Sequence, residues 1–188
     1  MPRISGGVLA LFAAIAVLSI AALAMKAPAT SPFKAELPGD QEALESLRLL
    51  IPVKGVDRKA LRDNFDEYRG RNRHEALDIM APRGTLVLAA GDGRVVKLFN
   101  SVPGGLTVYQ FDRDEQFAFY YAHLDRYAEG LKEGTTLKRG DVLGYVGNTG
   151  NAPPNAPHLH FTIFKLGPDK RWWKGTAINP YPYLTRTR

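Results

Sequence analysis

Between Leu86 and Phe164 the chain never sustains one apolar pattern for long. The segments LVLAAGDGRVVKLF, FAFYYAHL, DVLGYVG and LHFTIF are short, apolar or alternating, and rich in Val, Phe, Tyr and Leu. Gly91-Asp92-Gly93, Pro103-Gly104-Gly105, the stretch from Gly147 to Asn151, and Gly167-Pro168 cut them apart. Short runs of this composition between turn-forming residues predict strands joined by tight turns. The expected fold class is therefore mainly β, an antiparallel sheet with short helical segments. Nothing alternates strand with helix, which argues against a doubly wound nucleotide-binding sheet. Gly144-x-x-Gly147-x-x-Gly150 faintly resembles a phosphate-cradling loop. No Lys-Ser/Thr follows it, and Pro153-Pro154 blocks a helix start, so these are read as turn glycines.

The N-terminus has a different character. Ile4 to Met25 are 22 residues without a charge, flanked by Arg3 and Lys26. As a helix rising about 1.5 Å per residue, this run is long enough for a hydrocarbon core of about 30 Å. It reads as one N-terminal hydrophobic helix, an uncleaved signal anchor, or as a signal peptide with Ala22-Leu23-Ala24 as its cleavage site. Its length favours the anchor. Either way the rest of the chain is exported, anchored to the cytoplasmic membrane and facing the periplasm or cell wall, or free in the periplasm after cleavage. Residues 27–49 are expected to form a Pro-rich tether and a short helix over Asp40–Leu50. Asp40 is its expected N-cap, and Leu44, Leu47 and Leu50 form its stripe. Residues 50–188 then form the folded domain. The chain carries 25 Lys+Arg and 19 Asp+Glu. Arg3 and Lys26 are the only charges in 1–26, so the remainder has 23 basic and 19 acidic residues, a net of +4. A mildly basic exported domain suits an anionic surface such as cell-wall polymer. The interspersed charges and the lack of a basic run argue against nucleic acid.

Cysteine is absent, which excludes thiolate metal sites and a cysteine nucleophile. Any imidazole chemistry has to come from His74, His123, His158 and His160, the four histidines of the chain. Pro157-His158-Leu159-His160-Phe161 opens the last clear strand. Residues two apart in a strand share a face, so His158 and His160 project together while Leu159 and Phe161 turn to the core. His74-Glu75-Ala76-Leu77-Asp78 adds an imidazole and a carboxylate, both acceptable to zinc. The same residues look like a damaged zinc-protease helix with Glu75 as base. Gly70, Pro82 and Gly84 leave too little room for such a helix, so the segment is read as an extended or looped stretch leading into Thr85–Ala90, and Glu75 as a solvated carboxylate. Alternation along FAFYYAH places Phe117, Phe119, Tyr121 and His123 on one face.

Taken together, Arg73-His74-Glu75-Ala76-Leu77-Asp78, Tyr121-Ala122-His123-Leu124 and Pro157-His158-Leu159-His160-Phe161 resemble the three motifs of the lysostaphin/LytM-type zinc endopeptidases. Ala81-Pro82-Arg83-Gly84-Thr85, Ala89-Ala90-Gly91-Asp92-Gly93, Gly140-Asp141-Val142-Leu143-Gly144, Gly147-Asn148-Thr149-Gly150 and Ile178-Asn179-Pro180 are similar to further landmarks of that family. The resemblance covers roughly residues 50–184. It implies a barrel-sandwich-hybrid-like LytM domain. It also implies zinc (Zn2+) held by His74, Asp78 and His160, with His123 and His158 as the catalytic pair. Ala76 stands where the family usually has Gly. The implied activity is hydrolysis of the peptide cross-links of peptidoglycan, and the partners are its peptide stems and other cell-wall enzymes. A membrane-anchored form without a wall-binding repeat looks more like a D-Ala–diaminopimelate endopeptidase than a pentaglycine cutter. Some relatives lack the site residues and act by activating amidases, so the alternative is a regulator that keeps the zinc site without cutting. Relatives are often held latent by a segment over the groove, and Asp40–Leu61 is the candidate here. Tyr120, Tyr121, Asn148 and Trp172-Trp173 are candidate groove residues, although the two tryptophans are expected rather to pack in the core or at the rim. A carrier domain would need a lysine at a hairpin tip, and a cytosolic phosphotransfer domain has no use for Asp78.

Overall fold

The computed structural model describes residues 38–186. The expected anchor or signal of residues 1–26 and most of the tether lie outside the described residues. Among those described, no helix is long and apolar enough to cross a membrane.

The described chain is mainly antiparallel β, as the punctuated runs predict. After helix α1 (Pro38–Ser46) come a two-stranded hairpin, β1 (Tyr68–Arg69) and β2 (Asn72–Arg73), then β3 (Leu77–Met80) and β4 (Leu86–Leu88). The long central strands are β5 (Gly93–Ser101), β6 (Gly105–Asp112) and β7 (Phe117–Tyr127). They are followed by β8 (Thr136–Leu137), β9 (Val142–Val146), β10 (His158–Leu166), β11 (Gly175–Ile178) and helix α2 (Tyr181–Thr185). One sheet runs in the order β11-β10-β7-β6-β5-β8, with β3 on β10 and β9 bridging β7 to β4.

The register of β10 builds the site. On one side His160 lies opposite Asp78 of β3, and on the other opposite Ala122 of β7. The alternate residues Leu159, Phe161 and Ile163 are fully buried with Phe117, Phe119, Tyr121, Leu77 and Ile79 in the main core. Each such side chain contributes about 1.5–3 kcal/mol of burial, so a one-residue slip of β10 is strongly opposed. The buried Tyr121 and Gln110 are paired inside this core. The Tyr121 hydroxyl donates to Gln110 Oε1 at 2.8 Å and accepts from the Ala90 amide at 2.9 Å.

Two sequence expectations are corrected. Helix α1 ends at Ser46, so Leu47 and Leu50 lie outside it, and Asp40 sits within its first turn instead of capping it. Asp40 is drawn to Lys165, at 2.6 Å, and Arg48 takes a left-handed φ of 48° that stops the helix. The chain beyond runs beside β4, where the Leu50 amide donates to Ala90 O and Leu88 N donates to Pro52 O. Leu44 and Leu49 enter the core, so the compact body begins before residue 50.

The second correction concerns His123. Tyr121 pairs with Val108 and Leu124 with Leu106, so Ala122 and His123 together oppose Thr107 alone. This is a β-bulge, and His123 occupies it with φ = 60°. The extra residue resets the alternation. Leu124 joins Tyr121 in the core, and His123 turns to the opposite face instead of following Phe117, Phe119 and Tyr121.

Candidate metal centre and cleft

The bulge delivers His123 to a cleft lined by Arg69, Arg73, His74, Asp78, Tyr120, His158 and His160, with Pro103, Gly104 and Asn151–Pro153 at its rim. All four histidines of the chain converge there. Three donor atoms form its floor: His74 Nε2 is 2.9 Å from Asp78 Oδ1, His160 Nδ1 is 3.2 Å from the same oxygen, and the two nitrogens are 3.2 Å apart. Ligands about 2.0–2.1 Å from a tetrahedral zinc stand about 3.3 Å from one another. The donor set therefore matches zinc in both type and spacing, and it leaves a fourth position toward the cleft. Segment 74–78 forms no helix: His74 to Ala76 make a loop, Leu77 begins β3, and Glu75 is exposed with φ = 54°, so it does not face the cluster as a helical base would.

Backbone carbonyls fix the imidazoles. A carbonyl only accepts, so each Nδ1 that meets one carries a proton. His74 Nδ1 donates to Asn64 O at 3.0 Å, His123 Nδ1 to Thr149 O at 2.8 Å, and His158 Nδ1 to Ala156 O at 2.8 Å. Such outer partners set the tautomer and orientation of both metal-binding and catalytic histidines. The ring of His123 packs edge-on against His158 at 4.9 Å and His160 at 5.5 Å. His158 Nε2 lies 3.6 Å from Asp78 Oδ1.

Burial and charge divide the cluster. Burial works to raise the Asp78 carboxyl, but hydrogen bonds from His160 and His74 and their charges hold it well below the usual carboxylate range. Burial also works against a charged His74, yet its bond to Asp78, that carboxylate's charge and the Asn64 carbonyl leave its pKa raised. His160 is lowered, chiefly by burial. His123 is pushed down to about 4 by burial and by the neighbouring His160 and His158. It is a neutral imidazole at ordinary pH.

Other contacts were not legible as motifs. Asn64 serves twice: its carbonyl holds His74, and its Oδ1 accepts the Asp78 amide at 3.2 Å. Arg69, on the β1–β2 hairpin, donates to the second oxygen of Asp78 at 3.1 Å. Thr149, part of a landmark in the sequence, bridges the strands at the bulge. Its hydroxyl accepts from Leu106 N at 3.0 Å and donates to Leu124 O at 2.8 Å. Gly105 and Gly150 have φ of 61° and 75°, and each backs onto the other's loop. A Cβ on Gly105 would meet Thr149 Oγ1 at 2.1 Å, and one on Gly150 would meet Gly105 N at 2.3 Å. Of the groove candidates, Tyr120 lines the cleft, Tyr121 is in the core, and Asn148 buttresses its loop by donating to Pro154 O at 2.8 Å. No residue of Asp40–Leu61 lines the cleft, so the expected cover is not formed by that segment.

Comparison with known proteins places this site in context. The sequence profile of peptidase family M23 matches residues 72–180. The L-Ala–D-Glu endopeptidase of Bacillus subtilis (strain 168) is 34% identical over 123 residues, 62% of this chain and 36% of its own length. The murein hydrolase activator NlpD of Salmonella dublin is 29% identical over 65% of this chain and 28% of its own length. The chain thus spans well under half of these curated relatives. Among solved structures, the catalytic domain of lysostaphin from Staphylococcus simulans superposes with a TM-score of 0.52 at 30% identity, covering 61% of this chain and 80% of that domain.

Proposed function

Because the chain belongs to peptidase family M23, we propose that it is a zinc-dependent endopeptidase that hydrolyses peptide cross-links of bacterial peptidoglycan. The observation that carries this reading is the convergence of five side chains. His74, Asp78 and His160 offer three ligand atoms within 4.8 Å of one another. His123 and His158 stand beside them in the same cleft, their Nδ1 protons held by backbone carbonyls.

His74, Asp78 and His160 would hold the zinc, which when bound would supply Lewis-acid activation of a water and of the scissile carbonyl. The chain's own contribution is proton traffic and positioning. His123, kept neutral by burial, accepts at Nε2, and His158, its Nδ1–H held by the Ala156 carbonyl, faces the same cleft, so one of the two takes the proton of the attacking water. Once protonated, the same Nε2–H is a donor for the developing oxyanion or the leaving amine. Burial keeps His123 in its accepting form. Arg69 and Arg73 line the cleft, Arg69 paired with Glu67 and Asp78 and Arg73 with Asp66. The domain acts outside the cytoplasmic membrane, with residues 1–26 as its anchor or signal and a tether before α1.

The test is muropeptide release. Zinc-loaded protein is incubated with purified peptidoglycan and the products are identified by mass spectrometry, with His158→Ala as control. Loss of cross-linked dimers, absent in the control, supports the endopeptidase and names the bond. The similarity to a murein hydrolase activator favours a second reading, a regulator of amidases. Folded, zinc-containing protein that releases nothing alone but raises release by an added amidase overturns the first reading for the second.

A further inference from the structure

The sheet face that carries the histidines continues as a row of aromatic rings. Tyr120 of β7 stands edge-on to His160, with ring centroids 6.1 Å apart, and Tyr109 of β6 lies 4.6 Å from Tyr120. Trp172, in the loop after β10, is 4.9 Å from Tyr109, and Trp173 is 5.3 Å from Trp172. Trp172 rests on a small second core, while Trp173 is 60% exposed. Tyr109, Phe164, Trp172, Trp173, Lys174 and Gly175 line a shallow groove there. The expectation of rim packing describes Trp172 and leaves Trp173 unexplained.

Three considerations select an occupant. The first is reach. The centroid steps from His160 to Trp172 set an upper limit on their separation that about five extended residues at ~3.3 Å each would span. In peptidoglycan short peptides branch from a glycan strand, so a stem lying in the cleft carries its sugar to this distance. The second is chemistry. The exposed indole of Trp173, with Trp172, Tyr109 and Lys174 beside it, matches a pyranose, whose apolar face stacks on rings and whose hydroxyl and acetyl oxygens accept hydrogen bonds. The third is size. A protein partner needs about 800 Å² on each side, and this shelf presents a single exposed ring, Trp173.

We propose that Trp172, Trp173, Tyr109 and Lys174 form a saccharide subsite that binds an N-acetylated sugar of the glycan strand while the attached stem peptide occupies the histidine cleft. The subsite rests on the endopeptidase reading only for its biological role, since sugar binding requires neither zinc nor catalysis.

Trp172 and Trp173 are the only tryptophans in the chain, so its indole emission reports on the shelf alone. The zinc-loaded full chain in mild detergent is titrated with a peptide-free N-acetylglucosamine trimer. A saturable emission change is expected, with affinity at least tenfold weaker in Trp173→Ala, where Trp172 still reports. His158→Ala, which stops cleavage in the reading above, keeps the response. Retained sugar binding in a chain that cuts nothing therefore separates failure of the activity from failure of the subsite. The proposal is overturned if the wild-type emission does not respond, or if Trp173→Ala binds the trimer as tightly as the wild type. A response to free stem peptide and none to the trimer also overturns it.

Discussion

Replacing Thr149 by valine tests whether the bulge at His123 is held by one hydroxyl. Valine keeps the shape of the side chain and the Thr149 carbonyl that receives His123 Nδ1. It removes the atom that joins Leu106 N to Leu124 O. Those two groups belong to residues directly opposite each other, at the point where the β6–β7 ladder is interrupted. Each loses its partner in a half-buried setting where Gly105 and Gly150 leave no free space behind them. A buried polar group left unsatisfied costs about 1–3 kcal/mol. With some access of water to the loop, the pair costs roughly 2–4 kcal/mol. For a domain of this size that is a fall of roughly 5–15 °C in midpoint temperature. Because His123 hangs from the same loop, kcat falls by about tenfold or more. Thr149→Ser, which keeps the hydroxyl, recovers most of both losses. Urea unfolding of the three proteins, with turnover on cross-linked muropeptides, reads the two effects. Valine within about 0.5 kcal/mol of wild type, or serine as damaging as valine, refutes the reasoning, since surface changes alone reach that size.

Zinc at one hundred times its dissociation constant stabilises the fold by about 2.7 kcal/mol, seen as a rise of roughly 5–10 °C in thermal unfolding; Asp78→Ala shows no rise if Asp78 is a ligand. The raised pKa of His74 means that zinc displaces a proton, so apparent zinc affinity weakens as pH falls, beginning above pH 6.5. Calorimetry across buffers of different ionisation heat measures the release, and pH-independent affinity between 6 and 8 contradicts it. His123→Ala and His158→Ala each lower kcat by about 10²–10⁴-fold while zinc content by atomic absorption stays at the wild-type level; loss of the metal with either assigns that histidine to the metal instead. Thr162 is buried, and its hydroxyl has no hydrogen-bond partner among the described residues. Thr162→Val is therefore expected to gain about 1 kcal/mol and a few degrees in thermal unfolding, and a loss of stability would show that the hydroxyl is satisfied.

Legibility in the sequence followed the range over which each feature is determined. The strand-and-turn pattern, the non-helical 74–78 segment and the shared face of His158 and His160 depend on near neighbours, and the residues carried them. His123 marks the limit. Its face is set by a two-against-one mismatch between β6 and β7, and a count of two along β7 cannot register a residue that its partner strand fails to match. The left-handed φ of His123 is also uncommon for a non-glycine residue, so no local propensity announces it. What sustains it comes from far along the chain: Gly104 O receives the His123 amide at 2.8 Å, and Thr149 supplies both the hydroxyl that bridges the strands and the carbonyl that holds the ring. Asn64 is invisible for a similar reason, since its grip on His74 is a backbone carbonyl that any residue supplies. The glycines at 104, 105 and 150 were legible as turns, yet their position against the bulge makes them part of the site. The left-handed backbone at His123 is the kind of strain that a fold retains where it orients a functional group. Here it turns the imidazole out of the core face and toward His158, and the most local-looking landmark, Gly147-Asn148-Thr149-Gly150, is what makes that turn affordable.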